Sequence, residues 1–321
     1  MSWKVRVLSL LGMLVAVGLT PLWLPAYELR VLNLALITSI AVIGLVFAFG
    51  YAGLIHLGQA AFIGIGAYAS GLFARELGVG FWIAMPLSIA FGVLVSAIIG
   101  WPLLRLRGHY LALATIGFGV VFEIVAKNWT KVTGGYDGLI GIPPISVFGW
   151  TVDNDVQFFP VALAMTVVVA LLAYAVRASR FGRAMIAVRD DELAAAVVGI
   201  SVTRTKMLAF VIAGGCAALS GSLYAHYAGY VAPSDFDIVR AISVLAMLIV
   251  GGEMSVFGAI LGSIVVSFAP EWLRFLGQGY LVAFSVILLA ILVLAPQGIG
   301  GVVQQIASKL ERRRRPRARA S

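Results

Sequence analysis

The chain has 321 residues, 61% hydrophobic and only 12% charged, with a formal net charge of +9. Soluble domains average roughly 45–50% apolar and ~25% charged residues, so this composition excludes a soluble globular domain. Most of the charge excess lies in one tail, where Lys309, Arg312 to Arg315, Arg317 and Arg319 face Glu311 alone; such a tail beside a last span suits anionic lipid headgroups or a solvated, orientation-setting end, and not nucleic acid.

A spanning helix needs about 20 apolar residues. In chain order the apolar segments are 7–26, 31–50, 52–74, 81–104, 110–126, 157–176, 207–229, 239–251, 254–270 and 279–295. They predict ten crossings and an all-α polytopic membrane protein with some short or broken helices, organised as one transmembrane domain over 1–305 with a basic tail over 306–321. Lys4 and Arg6 precede the first run, which lacks an Ala-x-Ala cleavage site, so it reads as a retained anchor and not a signal peptide.

The stretch from Gly50 to Tyr68 is too glycine-rich for a lipid-facing helix, and it carries His56 and Gln59, which need partners away from lipid. Broken helices that line a path are built this way; close helix packing through small residues is the competing explanation. Gly53, His56, Gly58, Gln59 and Tyr68 are the candidate path residues from this region. Gly251 and Gly252, between two short apolar runs, read as a second break and join that set, whereas Gly258 and Gly262 read as a packing face. Glu123 and Lys127, four residues apart at a helix end, read as a structural pair.

Between residues 177 and 206 the apolar pattern yields to a polar island. Asp190, Asp191 and Glu192 suit the positive end of a short helix, a Leu/Ala run continues it, and Gly199 is a natural stop. Lys and Arg accumulate on the inner side of membranes. With ten spans, the basic N-terminus, the 105–109 turn, this island and the tail all fall on that side, while the opposite loops carry nearly balanced charge, for example Asp235 and Asp237 with Arg240.

The chemistry-bearing patterns are absent from the sequence. No lysine follows a glycine, so there is no phosphate-binding loop, and His56, His109 and His226 lack metal-ligand spacing. Gly64 and Gly66 are a very weak dinucleotide match, better explained by packing. Cys216, the single cysteine, rules out an internal disulfide. No catalytic residue, metal site or cofactor is assigned to this chain, and energy for any transport would come from elsewhere.

Several ordered strings then carry a resemblance: Gly50-Tyr51-Ala52-Gly53, Leu57-Gly58-Gln59-Ala60-Ala61-Phe62 and Gly66-Ala67-Tyr68; Leu106-Arg107-Gly108-His109-Tyr110; Thr133-Gly134-Gly135-Tyr136-Asp137-Gly138; Phe181-Gly182-Arg183-Ala184; Gly251-Gly252 with Gly258; and Pro296-Gln297-Gly298. Over roughly residues 30–301 the chain resembles the LivM-type permease of branched-chain amino-acid ABC importers. The resemblance implies a non-catalytic subunit in a bacterial inner membrane, both termini cytoplasmic. It further implies a LivH-like second permease, two LivG/LivF-like ATPase subunits that bind the ATP and Mg, and a periplasmic solute-binding protein. It makes the polar island a coupling loop, in which Arg180, Gly182, Arg183, Glu192, Ala194, Ala195 and Gly199 would meet the ATPase. His56, His109 and Ala259 depart from the usual pattern, and His56 puts the solute in question among leucine, isoleucine, valine, urea, short amides and other amino or organic acids. A stand-alone transporter or channel would need no docking helix, and a scaffold subunit would leave the broken spans unexplained.

Overall fold

The computed structural model describes residues 25–106, 108–147, 150–273 and 286. Apart from residues 25, 26 and 286, the expected spans 7–26 and 279–295 lie outside the described residues, as does the tail 306–321.

Helix α1 (Ala26–Leu45) runs on as a π-helical turn over Val46–Tyr51. It is apolar almost all round, as befits a helix surrounded by protein, and from Ala35 onward nearly every residue is buried, so it lies inside the bundle. The chain then leaves helical geometry over 52–58 and re-enters it in α2 (Gln59–Glu76). This corrects the expected span 52–74, which starts seven residues later than its hydropathy indicated. Gly53 takes φ +67°, and the Leu57 N–H is satisfied by Thr115 Oγ1 at 3.0 Å in place of a helical carbonyl.

The remaining helices are α3 (Phe81–Leu103), α4 (His109–Asn128), a single turn α5 (Thr130–Thr133), α6 (Asp155–Ala178), α7 (Arg180–Asp190), α8 (Glu192–Val197), α9 (Val202–Ala228), α10 (Ile238–Gly251) and α11 (Val256–Trp272). Two-residue strands form antiparallel pairs: β1 (Leu139–Ile140) with β4 (Tyr230–Val231), and β2 (Ser146–Val147) with β3 (Trp150–Thr151). Among the described residues, five helices are long and apolar enough to cross a membrane: α1 with its π turn, α3, α4, α6 and α9.

Side-chain ties sort the connections to two ends of the bundle. At one end Arg189 meets Glu253 and Arg177 donates to the Met254 carbonyl. At the other Tyr27 bonds Glu271, Arg75 the Ile140 carbonyl, and Trp82 the Ser146 carbonyl. The eight helices α1 to α4, α6 and α9 to α11 therefore alternate in direction, as the sequence order of spans requires. The expected Glu123–Lys127 pair is formed, at 2.5 Å.

Packing around α9 depends on missing side chains. A Cβ on Gly66 of α2 would lie 2.3 Å from Ala218 Cα and from its carbonyl oxygen, and one on Gly221 would lie 1.9 Å from the Ile63 carbonyl. Helices in lipid gain little from hydrophobic exclusion against one another, so such backbone-to-backbone approach supplies the van der Waals contact. Gly66→Leu is accordingly expected to abolish recovery of monodisperse, detergent-extracted protein. Gly117→Leu, at a helical glycine with nothing within 4 Å, is expected to leave recovery unchanged.

Candidate functional site

The polar island holds two helices, where the sequence pointed to one. Ser179 begins the first, its Oγ accepting the Phe181 N–H at 3.2 Å. Gly182 is required there because a Cβ would lie 2.5 Å from the carbonyl oxygens of Val176 and Arg177; the chain turns sharply from α6 into α7. Arg183 donates to the Ala178 carbonyl at 2.8 Å and so closes the C-terminal end of α6, while exposed Arg180 lies over the Phe181 ring at 5.0 Å.

The three acids are divided between the two helices. Asp190 ends α7, Asp191 lies between the helices, and Glu192 opens α8. Asp191 is an N-cap: its Oδ1 accepts the N–H groups of Leu193 and Ala194 at 2.8 and 3.0 Å, satisfying donors that have no intrahelical partner. Glu192 is tied instead to Lys206 of α9 at 2.5 Å. Gly199, at φ +86°, reverses the chain, and the Ile200 N–H returns to the Ala195 carbonyl at 3.0 Å; this left-handed stop is one that glycine adopts at no steric cost. The result is a short helix pinned at both ends. Of its residues only Ala195 is buried. Leu193, Val197 and Val198 are 80%, 86% and 74% exposed, and Ala194 is exposed beside them.

Behind this knob, α7 and the last turn of α6 grip the bundle with residues that sequence reasoning did not single out. Arg189 donates to the Gly50 carbonyl and, through its other Nη, to Glu253 Oε1 at 2.5 Å. Arg177 donates to the Met254 carbonyl at 3.1 Å and lies over the Tyr51 ring at 5.3 Å. A Cβ on Gly50 would be 1.9 Å from the Glu253 carbonyl, and Gly53 faces the Arg189 side chain. The two breaks inferred from glycine, at 50–53 and at 251–252, thus meet beneath the polar island. The second is a helix end: α10 stops at Gly251, Gly252 takes φ +105°, and α11 returns alongside, with Gly251, Gly258 and Gly262 interlocked at backbone distance. Only their being basic or acidic marks Arg189 and Glu253 in the sequence, and they are 64 residues apart.

The interior candidates are packed. His56 is 1% exposed, with ring centroids of Phe62 and Phe210 at 5.6 and 4.7 Å. Gln59 Nε2 donates to the Ala41 and Ala213 carbonyls at 2.9 and 3.1 Å, fastening α2 to α1 and α9. A Cβ on Gly58 would lie 2.8 Å from the Thr115 carbonyl. Gly58→Leu is therefore expected to lower the yield of folded protein as well as uptake, read by size-exclusion recovery beside transport. Tyr68 stands apart, nine residues or about 13 Å further along α2, against Phe122 and Phe236.

Arg240 differs from its sequence reading. Its charge was set against Asp235 and Asp237 in an outer loop, yet it lies in the first turn of α10 and its guanidinium turns inward to Thr38 Oγ1 of α1, at 2.8 Å. Charge balance along a loop carries no information on side-chain direction.

Residues 27–296 match the family profile for the permease component of branched-chain amino acid transport systems. The chain belongs to this permease family. The permease is 30% identical over 315 residues to the high-affinity branched-chain amino acid transport system permease protein LivM of Salmonella typhimurium, covering 91% of this chain and 74% of the relative. It has the same identity and coverage with LivM of Escherichia coli. With LivH of Escherichia coli it is 25% identical, covering 82% of this chain and 91% of that one. No solved structure matches the permease.

Proposed function

We propose that this multi-pass membrane protein is one transmembrane subunit of an ATP-driven importer in a bacterial inner membrane. With a LivH-like second permease it forms the path for leucine, isoleucine and valine, which a periplasmic binding protein delivers. Two LivG/LivF-like ATPase subunits bind the ATP and Mg and do the hydrolysis; this chain is not an enzyme and holds no cofactor. The end bearing α7 and α8 is cytoplasmic, together with both termini.

One observation carries this reading: a capped, tethered helix that leaves nearly all its apolar side chains in solvent. A loop with no partner gains nothing from exposing Leu193, Val197 and Val198 together, since each would give roughly 1.5–3 kcal/mol on full burial. A rigid helix fixed to the spans passes on a push that a slack loop would absorb. Glu192 and Gly199 act here by shaping α8, and Arg180, Gly182 and Arg183 by shaping its approach. In the assembled importer, Glu192→Lys places a cation against Lys206 and is expected to cut binding-protein-stimulated ATP hydrolysis at least tenfold. The decisive experiment extracts the permease from membranes in which its companion subunits are co-expressed, and assays leucine uptake after reconstitution. Recovery without any ATP-binding subunit, from membranes that contain one, overturns the reading.

A further inference from the structure

Arg240 is a charge that the bundle has drawn in, with Asp235 and Asp237 nearby but neither in direct contact with its guanidinium. Its one side-chain hydrogen bond goes to Thr38, and no ion pair among the described residues includes it. Thr38 lies twelve residues into α1, about 18 Å from that helix's start at 1.5 Å per residue, so the guanidinium is drawn inward from the membrane surface. A cation at bilayer depth is costly, and a buried charge is kept only where something answers it.

The same side chain lines two adjoining cavities. One, of ≈ 440 Å³, lies between α1, α2, α9, α10 and the Pro233–Phe236 turn; Ile37, Ile63, Tyr224, Asp235 and Asp237 share its lining with Arg240. The other, of ≈ 390 Å³, extends past Tyr27, Arg30 and Glu271 at the outer end. Leu34 and Ser243 belong to both, together with Arg240. Tyr27, Arg30 or Val31, and Leu34 follow helical spacing, so a partly open stripe of α1 leads from its exposed first turn to this guanidinium. Each aspartate spends one oxygen on a backbone N–H, Asp235 on Ala232 and Asp237 on Arg240 itself. Asp235 is also engaged by the Tyr224 hydroxyl.

We propose that the larger cavity is a transit site for a zwitterionic amino acid. Arg240 holds the α-carboxylate, Asp235 and Asp237 face the α-ammonium, and Leu34, Ile37 and Ile63 receive an aliphatic side chain. Guanidinium and carboxylate match in charge and in planar, two-point geometry. The inference rests on the amino-acid import reading above and locates where the cargo pauses.

The test uses the complete importer with its binding protein in proteoliposomes, with radiolabelled L-leucine as probe. Arg240→Gln is expected to lower the maximal uptake rate at least tenfold, while leucine-loaded binding protein still stimulates ATP hydrolysis; Arg240→Lys should recover part of the loss. Ser243→Phe, which fills the cavity and keeps the arginine itself, is expected to block uptake in an assembled complex. Wild-type uptake by both Arg240→Gln and Ser243→Phe overturns the proposal. So does normal transport by Ser243→Phe when both Arg240 variants fail to assemble, which would make Arg240 a structural charge. Failure of the import reading is distinct, since the unaltered complex would then accumulate no leucine.

Discussion

Replacing Leu193 and Val197 together by aspartate is expected to strip the ATPase subunits from the permease while the spans stay folded. Both side chains are more than three-quarters exposed and reach no part of the bundle core, so folding loses almost nothing. The interface proposed for α8 loses two apolar anchors, each giving about 1.5–3 kcal/mol when buried, and gains two charges that would have to be dehydrated. A loss of about 3–6 kcal/mol corresponds to two to four decades in affinity. Affinity-tagged permease carrying both changes should elute from detergent at the normal position without nucleotide-binding subunits, and leucine-stimulated ATP hydrolysis should be absent. Retention of those subunits at wild-type stoichiometry would show that α8 is not the docking element.

What the sequence could disclose depended on the range of the interactions involved. The knob was legible because its determinants are local: a capping acid before a Leu/Ala run and a glycine after it are signals within nine residues. The alternation of spans was legible because apolar run length is set by the bilayer and not by neighbours. The start of α2 was not, because Leu57 finds its acceptor in Thr115, 58 residues away, and hydropathy is blind to that bond. The glycines of 50–68 announced a break, yet the packed surroundings of Gly58 and Gln59 show that part of this pattern serves close approach. Two helices in the polar island were merged into one in the sequence reading because Ser179 as a cap is a weak mark beside three consecutive acids. Arg189 and Arg240 stayed hidden for a common reason: each acts through its side chain on an element distant in sequence.

Arg189→Leu is expected to leave the importer assembled and hydrolysing ATP but to lower leucine uptake per ATP at least tenfold. Arg189 ties α7 to both glycine breaks by polar contacts, through the Gly50 carbonyl and Glu253. In its absence the knob can still dock, since the Asp191 cap and the Glu192–Lys206 pair remain. A push delivered to α8 would then reach α9 through Lys206, but not the ends of α1 and α10. Arg189→Lys should not restore the ratio, because a single ammonium lacks the fork that serves a carbonyl and a carboxylate at once. Glu253→Gln should fall between, as it removes the charge attraction and keeps the carbonyl contact at Gly50. The measurement is leucine accumulated against phosphate released in the same proteoliposomes. An unchanged ratio in Arg189→Leu would mean that α7 is only a spacer, and that the stroke travels by α9 alone.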